Sequence, residues 1–251
     1  MYRCFCLVSL CLFSLSTPSL AQETTQDKGV RYRECMAVSR TAPSAGVDAA
    51  LAWQGVGGGH AADHCLASSL FFMGHYARAA DRFEKVAQEV RQSAAFKAEV
   101  LSQAANAWFL AEDSARAYGV MSAAIGLNDQ KAAYYVDRAR FQDALGAQAE
   151  AITDLTHALG LDENYGEALI YRASLYRQQE AVEAVFQDVS KALALDPSAS
   201  LGYLERGMIY RLQGKDAAAR QDWVMVLEST DAETVRTVAQ RNLELLDLDQ
   251  E

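Results

Sequence analysis

The sequence predicts an all-α chain: a solenoid of paired helices ending in a capping helix. Three observations predict it. Residue patterns recur every 34 residues, small side chains stand at two fixed points of each recurrence, and helix breakers are scarce, with only Pro18, Pro43 and Pro197 in 251 residues. Abundant Ala, Leu, Glu, Gln and Arg favour helix through most of the remainder.

The recurrence is clearest near the C-terminus, where Tyr203-x-x-Arg206-Gly207-x-x-Tyr210 leads to Gly214, Ala219 and Trp223. Thirty-four residues upstream stand Leu169, Arg172, Ala173, Tyr176, Val185 and Val189, and a further 34 upstream Tyr135, Arg138, Ala139, Gln142, Gly146, Ala151 and Leu155. A third step reaches Leu101, Ala104, Ala105, Trp108, Ala117 and Met121. Asp63, Leu66, Ala67, Leu70, Gly74, Ala79 and Phe83 follow the same order four residues out of phase. Five units result, over 60–93, 98–131, 132–165, 166–199 and 200–231. All five have a small residue on the first helix (helix A: Ala67, Ala105, Ala139, Ala173, Gly207), and four of them also on the second (helix B: Ala79, Ala117, Ala151, Ala219). Helices that cross closely leave no room there for a larger side chain, while Tyr176, Tyr210, Phe83 and Trp223 fill the space between helices. Val185 takes the small helix-B place in the fourth unit, which predicts looser packing at that point.

Period and small-residue positions together resemble the tetratricopeptide repeat, W-x2-L-G-x2-Y…A-x3-F…P, over residues 60 to about 232. The resemblance implies a right-handed α-solenoid with a concave groove that binds protein segments. Carried across residue by residue, its groove positions are His64, Ser68, Phe71 and Phe72, then Ser102, Asn106 and Phe109. The later units contribute Val136, Arg140 and Asp143, then Ile170, Ser174 and Arg177, then Leu204, Met208 and Arg211. An aromatic end suited to apolar anchors and an arginine end suited to carboxylates are expected. The Lys-and-Asn clamp by which similar cytosolic co-chaperones hold a C-terminal carboxylate is not matched, because Ser102 stands where its lysine would precede Asn106. Only Pro197 preserves the repeat's closing proline; Glu163 occupies that place one unit earlier.

Where the repeat usually carries leucine, this chain has Arg138, Arg172 and Arg206, each followed sixteen residues later by Asp154, Asp188 or Asp222. Equal spacing three times over predicts a structural ladder of Arg–Asp pairs between helices A and B. The competing use of three arginines in register is phosphate binding.

The N-terminus reads as a cleaved secretory leader over 1–21: a positive charge at Arg3, an apolar run from Cys4 to Leu15, and small residues at Ser19 and Ala21. No residue before Cys4, Cys6 or Cys11 is small, which argues against lipid attachment. Residues 22–30 are polar and expected to be a disordered linker, 31–59 a degenerate leading helical unit, and 232–251 a capping helix with Val235, Val238, Leu243, Leu245 and Leu246 among charges. Only Cys35 and Cys65 outlast the leader, and an even pair in an oxidising compartment predicts a disulfide. Its loop of about 30 residues would stabilise the fold by about 3.5 kcal/mol in the chain-entropy account. Cys35, Trp53, Gly57-Gly58-Gly59 and Ala62-Asp63-His64-Cys65 also resemble the front of exported tetratricopeptide proteins of alphaproteobacteria, which implies a bacterial envelope protein and supplies no ligand.

Removing Arg3 leaves 22 basic residues against 33 acidic ones, a net charge of −11. That disfavours nucleic acid and anionic membranes as partners; no later run has the length for a membrane span. Gly55-Val56-Gly57-Gly58-Gly59 follows a helix and lacks GK[ST], so it reads as a helix stop and turn, not a phosphate loop. His60 and His64 share a helix face beside Cys65, a spacing metals accept, yet no carboxylate is fixed there. No cofactor and no catalytic constellation is expected. The expected function is a non-enzymatic periplasmic or secreted scaffold or assembly factor that holds a protein or peptide segment in its groove. An architectural subunit using its outer face or edges is one alternative; a metal or redox protein built on His60, His64 and Cys65 is another.

Overall fold

The computed structural model describes residues 25–248, so the leader expected at 1–21 lies outside the described residues. Thirteen helices, and no strand among the described residues, follow one another as antiparallel pairs. The leading unit is α1 (Thr25–Thr41) and α2 (Pro43–Gly55). Five A–B units follow: α3 (Gly59–Phe72) with α4 (Tyr76–Glu89), α5 (Ala94–Leu110) with α6 (Ser114–Leu127), and α7 (Ala132–Ala144) with α8 (Gln148–Leu161). Then come α9 (Gly166–Gln178) with α10 (Val182–Leu195), and α11 (Ser200–Leu212) with α12 (Asp216–Ser229); α13 (Glu233–Leu248) ends the stack.

The turn from A to B has one design throughout. An amide beyond the helix returns to a carbonyl of its last turn: His75 to Leu70, Asp113 to Trp108, Ala147 to Gln142, Ala181 to Tyr176 and Lys215 to Tyr210, at 2.8–3.0 Å. That closure requires a left-handed residue just past the helix. Gly74, Gly146 and Gly214 supply it with φ of 70–79°, but Glu112 and Glu180 hold it in the second and fourth units with φ of 64° and 56°. For a residue with a Cβ this conformation costs roughly 1–2 kcal/mol. Gly57 and Gly59, also at positive φ, make the expected turn between α2 and α3.

The small-residue positions are where the helices touch. Ala67, Ala105, Ala139 and Ala173 on A, and Ala79, Ala117, Ala151 and Ala219 on B, are fully buried. Their neighbours compensate in size. A Cβ on Gly207 would lie 2.6 Å from Nε1 and 2.9 Å from Cδ1 of Trp223, so the tryptophan at this helix-B position requires glycine on the facing helix A. Val185 does not loosen its unit: it is fully buried and packs in one cluster with Ala173, Val189, Leu193 and Ile209.

The Arg–Asp ladder is present in all three units as two parallel hydrogen bonds. Nε and Nη2 of Arg138, Arg172 and Arg206 donate to the two carboxylate oxygens of Asp154, Asp188 and Asp222 at 2.7–2.8 Å. The carboxylates are buried. Arg138 and Arg172 also reach back to Ser122 and Thr156 of the preceding helix B at 3.2 and 3.0 Å. With their charge satisfied inside the repeat, these arginines hold protons even more firmly than usual, chiefly through the hydrogen-bonded aspartate in each case, and are not arranged to receive phosphate.

The ends depart from expectation in two places. Residues 25–30 belong to α1 and are not a disordered linker. The polar segment continues a helix that is docked downstream through Tyr32, Cys35 and Ser39, and docking outweighs weak local preference. In α13 the buried residues are Ala239 and Leu246; Val238 and Leu245, expected on the apolar face, are exposed, because the contact face includes alanine and a hydrophobicity pattern underweights it.

Candidate partner-binding groove

The A helices lie side by side along one face, the concave one in this architecture. Most polar groups assigned to that face are engaged in bonds from one A helix to the next. The Tyr32 hydroxyl of α1 donates to Nδ1 of His64 at 2.5 Å, and His64 Nε2 meets Oε1 of Gln103 in α5 at 2.8 Å. A neutral ring protonated on Nε2 satisfies both. Burial holds His64 below the ordinary histidine range, against the opposing pull of Gln103 and Glu99. Ser39 and Ser68 pair at 3.0 Å, and Asn106 donates to Asp137 at 3.0 Å. Arg140 is bonded to Asp137 at 3.0 Å and to Glu167. The Tyr171 hydroxyl donates to Asp143 at 2.9 Å, and Arg177 pairs with Glu205 at 2.6 Å. Burial is the main cause that raises Asp137 above the usual carboxylate range and Tyr171 far above that of a phenol, the latter helped by Asp143.

Two expectations change. His64 is buried under α1 and faces no partner. The arginine end is not open to an incoming carboxylate, because Arg140 and Arg177 already hold the chain's own acids and Arg211 pairs with Asp216 at 2.8 Å. Ser102, Val136 and Leu204 are buried as well, and Met208 is half-buried against the C-terminal core.

Six of the expected residues do come together. Ser68, Phe71, Phe72, Asn106, Phe109 and Arg140 line one cleft of about 510 Å³. Phe71 packs edge-on to Phe72 and Tyr76, centroids 5.4 and 5.5 Å apart, and Phe109 rests 4.9 Å from the fully buried ring of Phe141. Rings supported from behind in this way present a fixed apolar surface. Met36 and Arg40 of α1, Phe83 of α4, and Gln103 and Leu110 of α5 complete the wall and lie outside the groove positions that the repeat pattern assigns. A signal for the first two exists in the sequence: if Cys35 and Ser39 face α3, the next residues on the helix, Met36 and Arg40, turn toward the groove. A neighbouring cleft of about 660 Å³ contains Ile170, Ser174, Leu201, Glu167 and Glu205 and shares Arg140. It is larger, but Glu167 and Glu205 are spent on Arg140 and Arg177.

The three residues of the metal alternative point apart. His60 stands 3.9 Å from Glu89, His64 is held by Tyr32 and Gln103, and Cys65 faces Cys35 with Cα atoms 6.0 Å apart. Among the described residues no three His, Cys, Asp or Glu side chains gather as a metal site, and no helix is long and apolar enough to cross a membrane.

At the level of sequence no family model matches the chain, and no curated protein matches it either. Solved structures do. MamA of Desulfovibrio magneticus RS-1, from residue 41 to its end, superimposes with a TM-score of 0.58 at 16% identity, over 69% of this chain and 97% of its own. TTC0263, a thermophilic TPR protein of Thermus thermophilus, gives 0.58 at 17% identity over 73% and 98%. YrrB, described as a TPR protein with an unusual peptide-binding site, gives 0.55 at 16% over 72% and 91%. The fold is that of the tetratricopeptide repeat. Identities this low establish the fold alone. On this scaffold the chain carries a bidentate Arg–Asp ladder and a close docking of α1 on α3.

Proposed function

We propose that the chain is an exported, non-enzymatic interaction scaffold that holds a segment of a partner protein against its concave face. The aromatic cleft carries the reading: Phe71, Phe72 and Phe109 present apolar surface on a backed support, while most polar groups around them are already bonded within the chain. Large rigid side chains of this kind supply most of the affinity at protein interfaces. The peptide-binding site of YrrB, a protein of the same fold, is consistent with this use. The leader-like 1–21 segment and the adjacent Cys35 and Cys65 support residence in the periplasm or outside the cell, with the two cysteines joined as a disulfide.

The test is chemical cross-linking in the producing cell, identification of the partner, and affinity measurement beside a thermal melt. Phe71→Ala and Phe109→Ala should each weaken the complex about five- to thirtyfold, or about 1–2 kcal/mol, with smaller effects on stability. Normal binding by both, with binding lost on substitution of the outer helix-B face, would replace the groove with the architectural reading. Mass spectrometry of a non-reduced digest reports the Cys35–Cys65 linkage, and free thiols at both positions would refute residence as an oxidised protein.

A further inference from the structure

We infer that the occupant of the aromatic cleft is an acidic, apolar peptide segment, selected by Arg40 of α1. The inference rests on the groove reading and names the class of partner.

The chain as a whole is acidic, with a formal charge of −10, yet the lining of this cleft contains two arginines and no carboxylate. One of the two is spent, since Arg140 is held by Asp137 and Glu167. Arg40 is exposed and has no hydrogen bond or ion pair among the described residues. It does not dangle from a loose end. Cys35 and Ser39 hold α1 against Cys65 and Ser68 of α3, so the backbone that presents Arg40 to the cleft lined by Phe71 and Phe109 is anchored. Two amides complete the pattern. Gln103 uses Oε1 on His64 and Asn106 uses Nδ2 on Ser102 and Asp137. The Nε2 amide of Gln103 as donor and Oδ1 of Asn106 as acceptor are left in the lining, a pairing that suits the backbone of an extended segment. A ligand that satisfies ring, guanidinium and amides together carries a Leu- or Phe-sized side chain with Asp or Glu close beside it. A basic segment would meet Arg40 unpaired, and like charges in contact are penalised.

Fluorescence anisotropy on the full chain, purified as the cell processes it, tests this with three short labelled peptides that differ only in Glu, Gln or Lys beside a Leu-Phe pair. Glu should bind tighter than Gln, and Gln tighter than Lys, by about fivefold per step, the scale of an exposed ion pair. Arg40→Glu should flatten or invert that order with an unchanged circular dichroism melt, and Phe109→Ala should weaken all three. Equal binding of the three, or tightest binding of the Lys peptide, overturns the acidic-partner inference and leaves the groove reading standing. No binding by any, or no effect of Phe109→Ala, removes both. Anionic vesicles that bind in an Arg40-dependent manner while the Glu peptide does not would assign the site to a lipid surface and overturn the inference.

Discussion

Arg172→Leu tests whether the ladder is structural. The guanidinium makes two bonds of 2.7–2.8 Å to Asp188, a third to Thr156, and lies 5.7 Å from the ring centre of Tyr176. Leucine removes all of these and leaves a carboxylate whose side chain is 7% exposed, while the lost arginine was 17% exposed. Breaking a buried pair from one side costs about 3–5 kcal/mol, because the remaining charge has lost its solvent and its mate. The small opening through which water reaches the site places the expectation at the lower end, about 3 kcal/mol. For a chain of this size that is a fall of about 6–12 °C in Tm. The control is Arg172→Leu with Asp188→Leu, where no charge is stranded and most of the loss should return. Circular dichroism melts and urea titrations of the parent, both single variants and the double variant provide the cycle, with partner affinity measured alongside. A loss under about 1 kcal/mol in the singles, or a double variant worse than either, would refute the reasoning. So would unchanged stability accompanied by lost binding, which would make Arg172 a recognition residue.

Three further outcomes are expected. Gly207→Ala should destabilise by about 1–2 kcal/mol, since overpacking against Trp223 exceeds the helix-propensity gain; adding Trp223→Leu, which recreates the Ala139 and Leu155 pairing, should recover it, and failure to do so would refute the size-compensation account. Glu180→Gly should stabilise by about 0.5–1 kcal/mol, because relief of the left-handed backbone exceeds the extra freedom glycine gains when unfolded; a destabilised variant in chemical denaturation would contradict it. His64 has a folded pKa depressed by burial, so its contribution is fully present above the unfolded value near 6.5 and is lost as pH falls through 6.5 toward the lower folded value. Melts between pH 8 and 5, roughly the range over which histidine titrates, should show this slope in the parent and a flatter one in His64→Gln; parallel curves would exclude His64 as its source.

What the sequence makes legible is whatever is fixed by spacing along one or two helices. The sixteen-residue interval brings Arg and Asp together within a single A–B unit, and the Cys35–Cys65 proximity needs only adjacent first helices. Bonds from one unit to the next depend on how far each repeat is rotated against its neighbour, and residue spacing does not contain that angle. Spacing alone therefore leaves Arg140 and Arg177 open where Glu167 and Glu205 close them, and puts His64 on the groove surface where α1 covers it. Phe71, Phe72 and Phe109 share one cleft because they need only point the same way, not meet a particular atom. Met36 and Arg40 escape a reading that draws groove positions only from the five repeats, because the degenerate leading unit also forms a wall of the cleft.

The bonds between successive A helices give the solenoid a mechanical character. Ser39 to Ser68, His64 to Gln103, Asn106 to Asp137, Tyr171 to Asp143 and Arg177 to Glu205 tie neighbouring units along the inner side of the curve. Straightening the superhelix lengthens its inner side first, so each of these short polar ties resists extension, while closing the curve leaves them intact. The chain is thus a spring stiffer toward opening than toward tightening. For the partner segment proposed above, drawing the coil in around the Phe rings leaves those ties intact, whereas opening it works against them.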